Sequence, residues 1–390
     1  MSYKAGILSP VPKKGKNMKD PNCYRRITIT ALIGKIIEKH MLAHTNACLS
    51  PLQSHLQYGF TEGCAPTYAA VLLSEVMADS RDSKCPLFIT FMDSSKAFDV
   101  VDHQAMLNAL HEQGVRGNLW SLYDNMYSEI KSQVKWDGQL SRPFEERQGI
   151  RQGGVSSPAL YKSGRNKGLA QLDKNPSLYI GSLNIGAVMV ADDLAIMAKC
   201  QDSMQVSLSI AETDASRERY LYNTEKTKII SINTKSDPKM ELNNKELGTS
   251  KKEKHLGIFR NVKNDNQDTI EARIKEARRA AYSLMGAGLY GLNGSGTEVG
   301  IELYSTYIVP MILYGLEALV LHPTDMETLE AFHRRNLRHI LHLPASCSSA
   351  AVHLLSGVAP LEAQLHIRML SMIRNIADTD GKQGPVKFLY

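Results

Sequence analysis

An apolar run with two adjacent carboxylates at its centre, Gly186-Ala-Val-Met-Val-Ala-Asp-Asp-Leu-Ala-Ile-Met-Ala198, constrains this chain more than any other stretch. Its flanks, 187–191 and 194–198, are too short for comfortable helices, so they predict two buried strands joined by a tight turn with Asp192 and Asp193 at the tip. Two carboxylates held side by side repel, and one would be protonated near neutrality unless a cation compensated them. A hard divalent ion such as Mg²⁺ suits an all-oxygen site and draws on further carboxylates and phosphate oxygens to complete its octahedron. For the pair taken alone, a polar turn with Asp chosen for its backbone preferences is the alternative.

A third carboxylate stands upstream. Pro86-Leu-Phe-Ile-Thr-Phe-Met-Asp93 is a strand-type run ending on Asp93, followed by Ser94-Ser-Lys-Ala-Phe98-Asp99. An acid leaving one strand beside an Asp-Asp hairpin tip makes the three-carboxylate, two-metal arrangement that transfers nucleotidyl groups.

In this order and spacing the chain resembles the reverse transcriptases of non-LTR (LINE-type) retrotransposons over nearly its whole length. Asp93-Ser-Ser-Lys-Ala-Phe-Asp99 is similar to motif A, Arg147-Gln-Gly-Ile-Arg-Gln-Gly-Gly-Val-Ser-Ser-Pro158 to motif B and Ala191-Asp192-Asp193 to motif C. Asn223-Thr-Glu-Lys-Thr-Lys228 resembles motif D and His255-Leu-Gly-Ile258 motif E, while Pro12-Lys-Lys-Gly15, Tyr24-Arg-Arg-Ile27 and Tyr58-Gly-Phe-Thr61 resemble the finger motifs. The resemblance implies an α+β right-hand polymerase: fingers and palm over 1–262, then a helical thumb and C-terminal extension over 263–390.

It also implies roles. Asp93, Asp192 and Asp193 would hold two Mg²⁺ ions, with Mn²⁺ able to replace them, and Lys226 or Lys228 would protonate the leaving pyrophosphate. Lys14 and Arg25 would grip the incoming dNTP, Phe98 would stand against the sugar's 2′ position, and Gln152 and Gly153 would lie against the templating base pair. Two departures bear on that pocket, Arg26 where the family usually has Pro and Thr61 where Arg is common; separately, Lys162-Ser-Gly-Arg165 interrupts an internal helix face that is usually apolar.

Length and composition suit a large globular enzyme, with 390 residues, 43% of them hydrophobic. The net charge of +6 is modest, but cations cluster at 13–26 and again at 251–279, where Arg273, Lys275, Arg278 and Arg279 would track a nucleic-acid backbone. The 6 cysteines form no Cys-x-x-Cys pair, which argues against a zinc ribbon and fits a reducing compartment. No secretory leader opens the chain and no uninterrupted apolar stretch reaches membrane-spanning length, 308–321 coming nearest, so the expected setting is cytoplasm or nucleus without a transmembrane segment.

Local signals predict the rest. An amphipathic helix is expected over 28–42 with Ile29, Leu32, Ile33, Ile36 and Ile37 inward, another from Pro66, and a helix capped by Asp102 and closed by Gly114. Asp137-Gly138 predicts a hairpin, and Thr324-Asp-Met-Glu327 a capping-box helix start. The expected partners are an RNA template, a DNA primer and dNTPs. The alternative is a catalytically silent, truncated remnant that only binds nucleic acid.

Overall fold

The computed structural model describes residues 4–13, 15, 17–180, 183–263, 265–286, 288 and 294–378. It divides into two compact units: Met1–Glu62 with Leu87–Ile229 and Ser236–Thr249, and Gly63–Pro86 with Ile230–Lys235 and Ser250–Tyr390. Packing therefore groups the chain differently from the sequence division at 262/263, since the segment 63–86 folds with the C-terminal helices.

In the first unit, the strand Asp193–Ala198 lies between Leu87–Met92 and Ala187–Val190, antiparallel to both. Nearly every residue of these strands is buried, as expected for apolar runs without polar alternation. The helices Ser157–Lys174 and Gln201–Arg217 cover the sheet, and Leu169, Leu172, Met204 and Leu208 meet Phe88, Met92, Leu194 and Ile196 in one core. A second sheet pairs Ala5–Pro12 antiparallel with Tyr24–Thr30 and parallel with Lys131–Trp136. The hairpin after Trp136 turns on Asp137 and Gly138, both with positive φ (47° and 77°), as the Asp-Gly pair requires.

The predicted 28–42 helix is corrected in both start and face. Residues 24–30 are strand, and the helix runs Leu32–Leu49 with Gly34, Glu38, Met41, Thr45 and Leu49 inward. Leu32, Ile33 and Ile36 are 73%, 68% and 61% exposed. Polar anchors choose the face. The buried Glu38 carboxylate accepts from Ser156 N (3.0 Å) and Ser156 Oγ (3.2 Å) at the start of helix Ser157–Lys174, and Thr45 Oγ1 shares a 2.9 Å hydrogen bond with Tyr123 OH.

The polar break in Ser157–Lys174 is accommodated rather than damaging. Arg165 is 5% exposed; its guanidinium donates to Tyr161 OH (3.0 and 3.2 Å) and lies 3.4 Å from the Tyr220 ring centroid. Asp214, whose carboxyl burial pushes up to about 6, pairs with Arg217 beside it. Arg165→Ala should destabilise by about 3 kcal/mol, through a new cavity and a lost desolvated cation–π contact. Urea unfolding would check this, and a loss below about 1 kcal/mol would show that the guanidinium contributes nothing there.

The second unit is mainly helical. Gln267–Gly286, Pro323–Ile340 and Leu361–Asp378 share a core with the helical run through 297–318, in which Ile270, Ala277, Ile312, Leu329, Leu337 and Leu365 meet. That run is longer than the apolar stretch 308–321 read from sequence, and by length and composition it could cross a membrane; 44% of its most apolar 18-residue window is buried within the protein. A π-turn at Tyr304–Ile308 precedes Pro310, which has no N–H and in an α-helix would leave the Thr306 carbonyl unmatched. The helix expected from Thr324 starts two residues earlier, with His322 as N-cap and its N–H donating to Asp325 Oδ2 (3.1 Å). Helix Pro66–Asp82 has Pro at its first turn as predicted, and its Ala70 carbonyl accepts from the buried Arg260 guanidinium at 2.7 Å.

Candidate active site

The hairpin predicted around the two aspartates is present. Ala191 turns with φ 59°, and the ladder pairs Leu194 with Met92, which brings Asp193 and Asp93 next in register at the open end of the sheet. Asp93 and Asp192 both line a cavity of about 880 Å³, together with Arg25, Phe98, Gln152, Gly153 and Lys226. Asp193 is exposed beside them and is not part of that lining.

The electrostatics are those of crowded acids. Burial raises the Asp192 carboxyl, and Asp93 adds repulsion that Arg165 and a backbone N–H only partly oppose. Asp193, although it reaches solvent, is pushed up to about 6 by neighbouring protein atoms first and by Asp192 and Asp93 next. Such a group opposes the folded state once ionised. Below about pH 4 it is neutral folded or unfolded; between about 4 and 6 its contribution to stability falls as pH rises. Asp193→Asn should therefore raise the melting temperature in EDTA at about pH 7.5 and flatten the decline between pH 4 and 6. An unchanged pH slope would show that Asp193 titrates alike in both states.

Among the described residues no three His, Cys, Asp or Glu side chains converge closely enough to hold a metal ion. One oxygen of Asp93 is instead taken by Lys226 Nζ at 3.2 Å. The donor set still fits a hard cation: it is all carboxylate oxygen, and two of its members are held above their ordinary range by burial and mutual repulsion.

Local structure sets the two lysines of Asn223-Thr-Glu-Lys-Thr-Lys228 apart in position. Asn223 N donates to the Asp93 carbonyl (2.8 Å), and Asn223 Oδ1 accepts from Glu225 N (3.0 Å) and Lys226 N (3.2 Å). That turn carries Lys226 to Asp93, while Lys228 begins the next strand and does not line the cavity.

Arg25 is exposed at the cavity wall; Lys14 lies outside the described residues. Sequence reasoning placed Lys13 only in the 13–26 cation cluster and gave no role to Lys96; both line the cavity and bond Asn22, at 3.2 and 2.9 Å. The only signal was their place inside the two motifs. Phe98 is half-buried, stacked on Tyr161 (4.6 Å between centroids, 11°) and edge-on to Phe60 at 6.0 Å. Gln152 Nε2 donates to Asp99 Oδ1 (3.2 Å), whose other oxygen stands 3.8 Å from Arg26 Nε, so one departure from the family pattern is tied into the pocket wall. Thr61, the other, donates its hydroxyl to the Gln57 carbonyl at 2.9 Å.

The motif B segment holds Gly149 as well as Gly153, the latter expected against the templating base pair. In the structure they admit the protein's own backbone. A Cβ on Gly149 would lie 2.9 Å from the Asp99 carbonyl oxygen, and one on Gly153, at φ 122°, 2.7 Å from that of Thr28.

Of the four cations expected on the duplex-tracking helix, Lys275, Arg278 and Arg279 are exposed, whereas Arg273 is buried and corrects that expectation. Its guanidinium donates to Glu276 Oε2 (3.2 Å) and to the Gly257 carbonyl, bracing the turn between Lys252–His255 and Ile258–Asn261.

A sequence profile of the family described as reverse transcriptase (RNA-dependent DNA polymerase) matches residues 11–259. A retrovirus-related Pol polyprotein from type-1 retrotransposable element R2 of Nasonia vitripennis is 29% identical over 206 residues, covering 52% of this chain and 19% of that protein. The RNA-directed DNA polymerase from mobile element jockey of Drosophila melanogaster is 21% identical over 354 residues, covering 88% of this chain and 38% of that protein. The chain thus spans less than half the length of either relative. The solved structure of apo telomerase from Candida tropicalis aligns over 100% of this chain and 69% of its own, at TM-score 0.47 and 14% identity. With the profile covering most of the chain, its fold is that of a right-hand polymerase and it belongs to the reverse transcriptase family, among those of non-LTR retrotransposons.

Proposed function

We propose that this chain is the polymerase module of a retrotransposon-derived RNA-directed DNA polymerase, extending a DNA primer on an RNA template with dNTPs. The observation that carries the reading is the juxtaposition of Asp93 and Asp192 in the wall of one cavity that Lys13, Arg25, Lys96, Arg151 and Lys226 also line. Acids and cations lining one cavity suit a substrate that brings its own phosphates. In functional terms residues 1–262 would serve as fingers and palm and 263–390 as thumb and C-terminal extension.

Asp93 and Asp192 would hold two Mg²⁺ ions, with Asp193 as supporting acid; when bound, the ions lower the pKa of the primer hydroxyl and neutralise triphosphate charge. The chain's own residues do the rest. Arg25 forks onto phosphate oxygens while Lys13 and Lys96 add point charges. Lys226 Nζ, already beside Asp93, donates the proton to the departing pyrophosphate oxygen. Phe98 packs on the sugar, and Gln152 with Gly153 forms the floor under the new base pair.

Primer extension on poly-A template with oligo-dT, in Mg²⁺ and then in Mn²⁺, tests the reading. Incorporation in either ion supports it. Template binding with no incorporation in both would assign a silent nucleic-acid-binding role.

The exposed cations of helix Gln267–Gly286 are assigned to sequence-independent phosphate contact. Replacing Lys275, Arg278 and Arg279 together by Ala should weaken duplex binding alike for all sequences and reduce the salt slope by about one unit per lost contact. An unchanged slope would show that this face meets only solvent.

A further inference from the structure

The hairpin tip that carries Asp192 is held from outside by a segment with no assigned role. Residues 56–58 run beside Ala187–Val190: Met189 N donates to the Leu56 carbonyl and Tyr58 N to the Met189 carbonyl, both at 2.8 Å. Gln57 is 1% exposed, and its amide reaches the residue before Asp192 from both sides. Its Oε1 accepts from Ala191 N at 3.0 Å and Gly59 N at 2.8 Å, and its Nε2 donates to the Ala191 carbonyl at 3.2 Å. Both polar backbone groups of Ala191 are thereby matched by one side chain.

Ala191 needs such a partner. Its φ of 59° is a left-handed conformation disfavoured for a residue with a Cβ, and it holds Asp192 within reach of two like charges, Asp193 and Asp93. The approach is close enough that a Cβ on Gly59 would lie 2.1 Å from Ala191 N and 2.8 Å from its Cα. Two residues from the clamp, Phe60 lines the same cavity edge-on to Phe98.

We propose that Gln57 is a positioning residue for Asp192: by fixing both backbone groups of Ala191 it sets where that carboxylate stands when a divalent ion and the triphosphate arrive. The proposal rests on the polymerase reading of Asp192. It differs from a packing role because what Gln57 supplies is direction, through bonds that a side chain of the same shape without polar atoms cannot make.

The test is Gln57→Met, assayed with the full chain. The Mg²⁺ concentration for half-maximal extension should rise about tenfold, as for lost outer-shell support of a metal ligand. The kcat should fall by roughly a hundredfold. The dNTP KM and primer-template Kd should stay within about twofold, and the rise in melting temperature that Mg²⁺ alone produces should shrink. A folded Gln57→Met with the wild-type Mg²⁺ midpoint and kcat would overturn the proposal. Should Gln57→Met not fold, Gln57→Asn, whose amide falls one methylene short of Ala191, decides by the same readings; loss of fold in both also overturns it, assigning Gln57 to folding. A wild-type chain that neither extends a primer nor responds to Mg²⁺ removes the underlying reading, and this proposal with it.

Discussion

Asp192→Asn should abolish primer extension while leaving template affinity unchanged or slightly raised. Asp192 shares the cavity with Asp93, and burial there opposes its charge. Removing one ligand of a divalent pair forfeits several kcal/mol of transition-state charge stabilisation, so the rate should fall by about a thousandfold or more. Affinity for nucleic acid should move the other way, since one negative charge near phosphates is gone. Extension within about tenfold of wild type would sink the metal assignment, because amide for carboxylate is nearly isosteric and changes little except charge.

Phe98→Ala should relax sugar selection. The ring is clamped on one face by Tyr161, itself held by Arg165, while its remaining surface lines the cavity that Asp93 and Asp192 also line. If this ring stands against the sugar it would exclude a 2′-hydroxyl by overlap, and selectivity from a built-in clash disappears when the clash is removed. The ratio of dNTP to rNTP incorporation efficiency should fall between about tenfold and a hundredfold, with dNTP use falling less. If both efficiencies drop together and the ratio holds, Phe98 is a packing residue of the Tyr161 stack. Measuring both substrates on one primer-template separates the two outcomes even when overall activity is low.

Much of the site's skeleton was legible because it is written in short-range patterns. Apolar runs with no polar alternation gave the strands that end at Asp93 and flank Asp192. The Asp137-Gly138 turn, the Pro66 helix start and the Asp102 cap, whose Oδ1 accepts from Ala105 N at 2.8 Å, each follow from the conformational preferences of one or two residues. The resemblance of ordered motifs then placed Asp93, Phe98, Gln152, Gly153, Asp192 and Lys226 in one functional neighbourhood, and the structure brings them to one cavity.

What the sequence could not decide were choices between chemically similar options. Two lysines of Asn223-Thr-Glu-Lys-Thr-Lys228 were equivalent until the Asn223 turn carried one of them to Asp93. The helix Leu32–Leu49 offered an apolar stripe, yet buried the stripe containing Glu38 and Thr45, because their partners Ser156 and Tyr123 lie far along the chain. Arg273 looked like its exposed neighbours until the Gly257 carbonyl claimed it, and nothing near Gln57 announces that its amide meets Ala191. By itself the sequence determined where strands, turns and carboxylates fall, since backbone preference and burial act over a few residues. Only the tertiary structure decided which face, which lysine and which clamp. Those choices depend on hydrogen-bond and charge partners brought together from distant positions, whose pairing no local periodicity encodes.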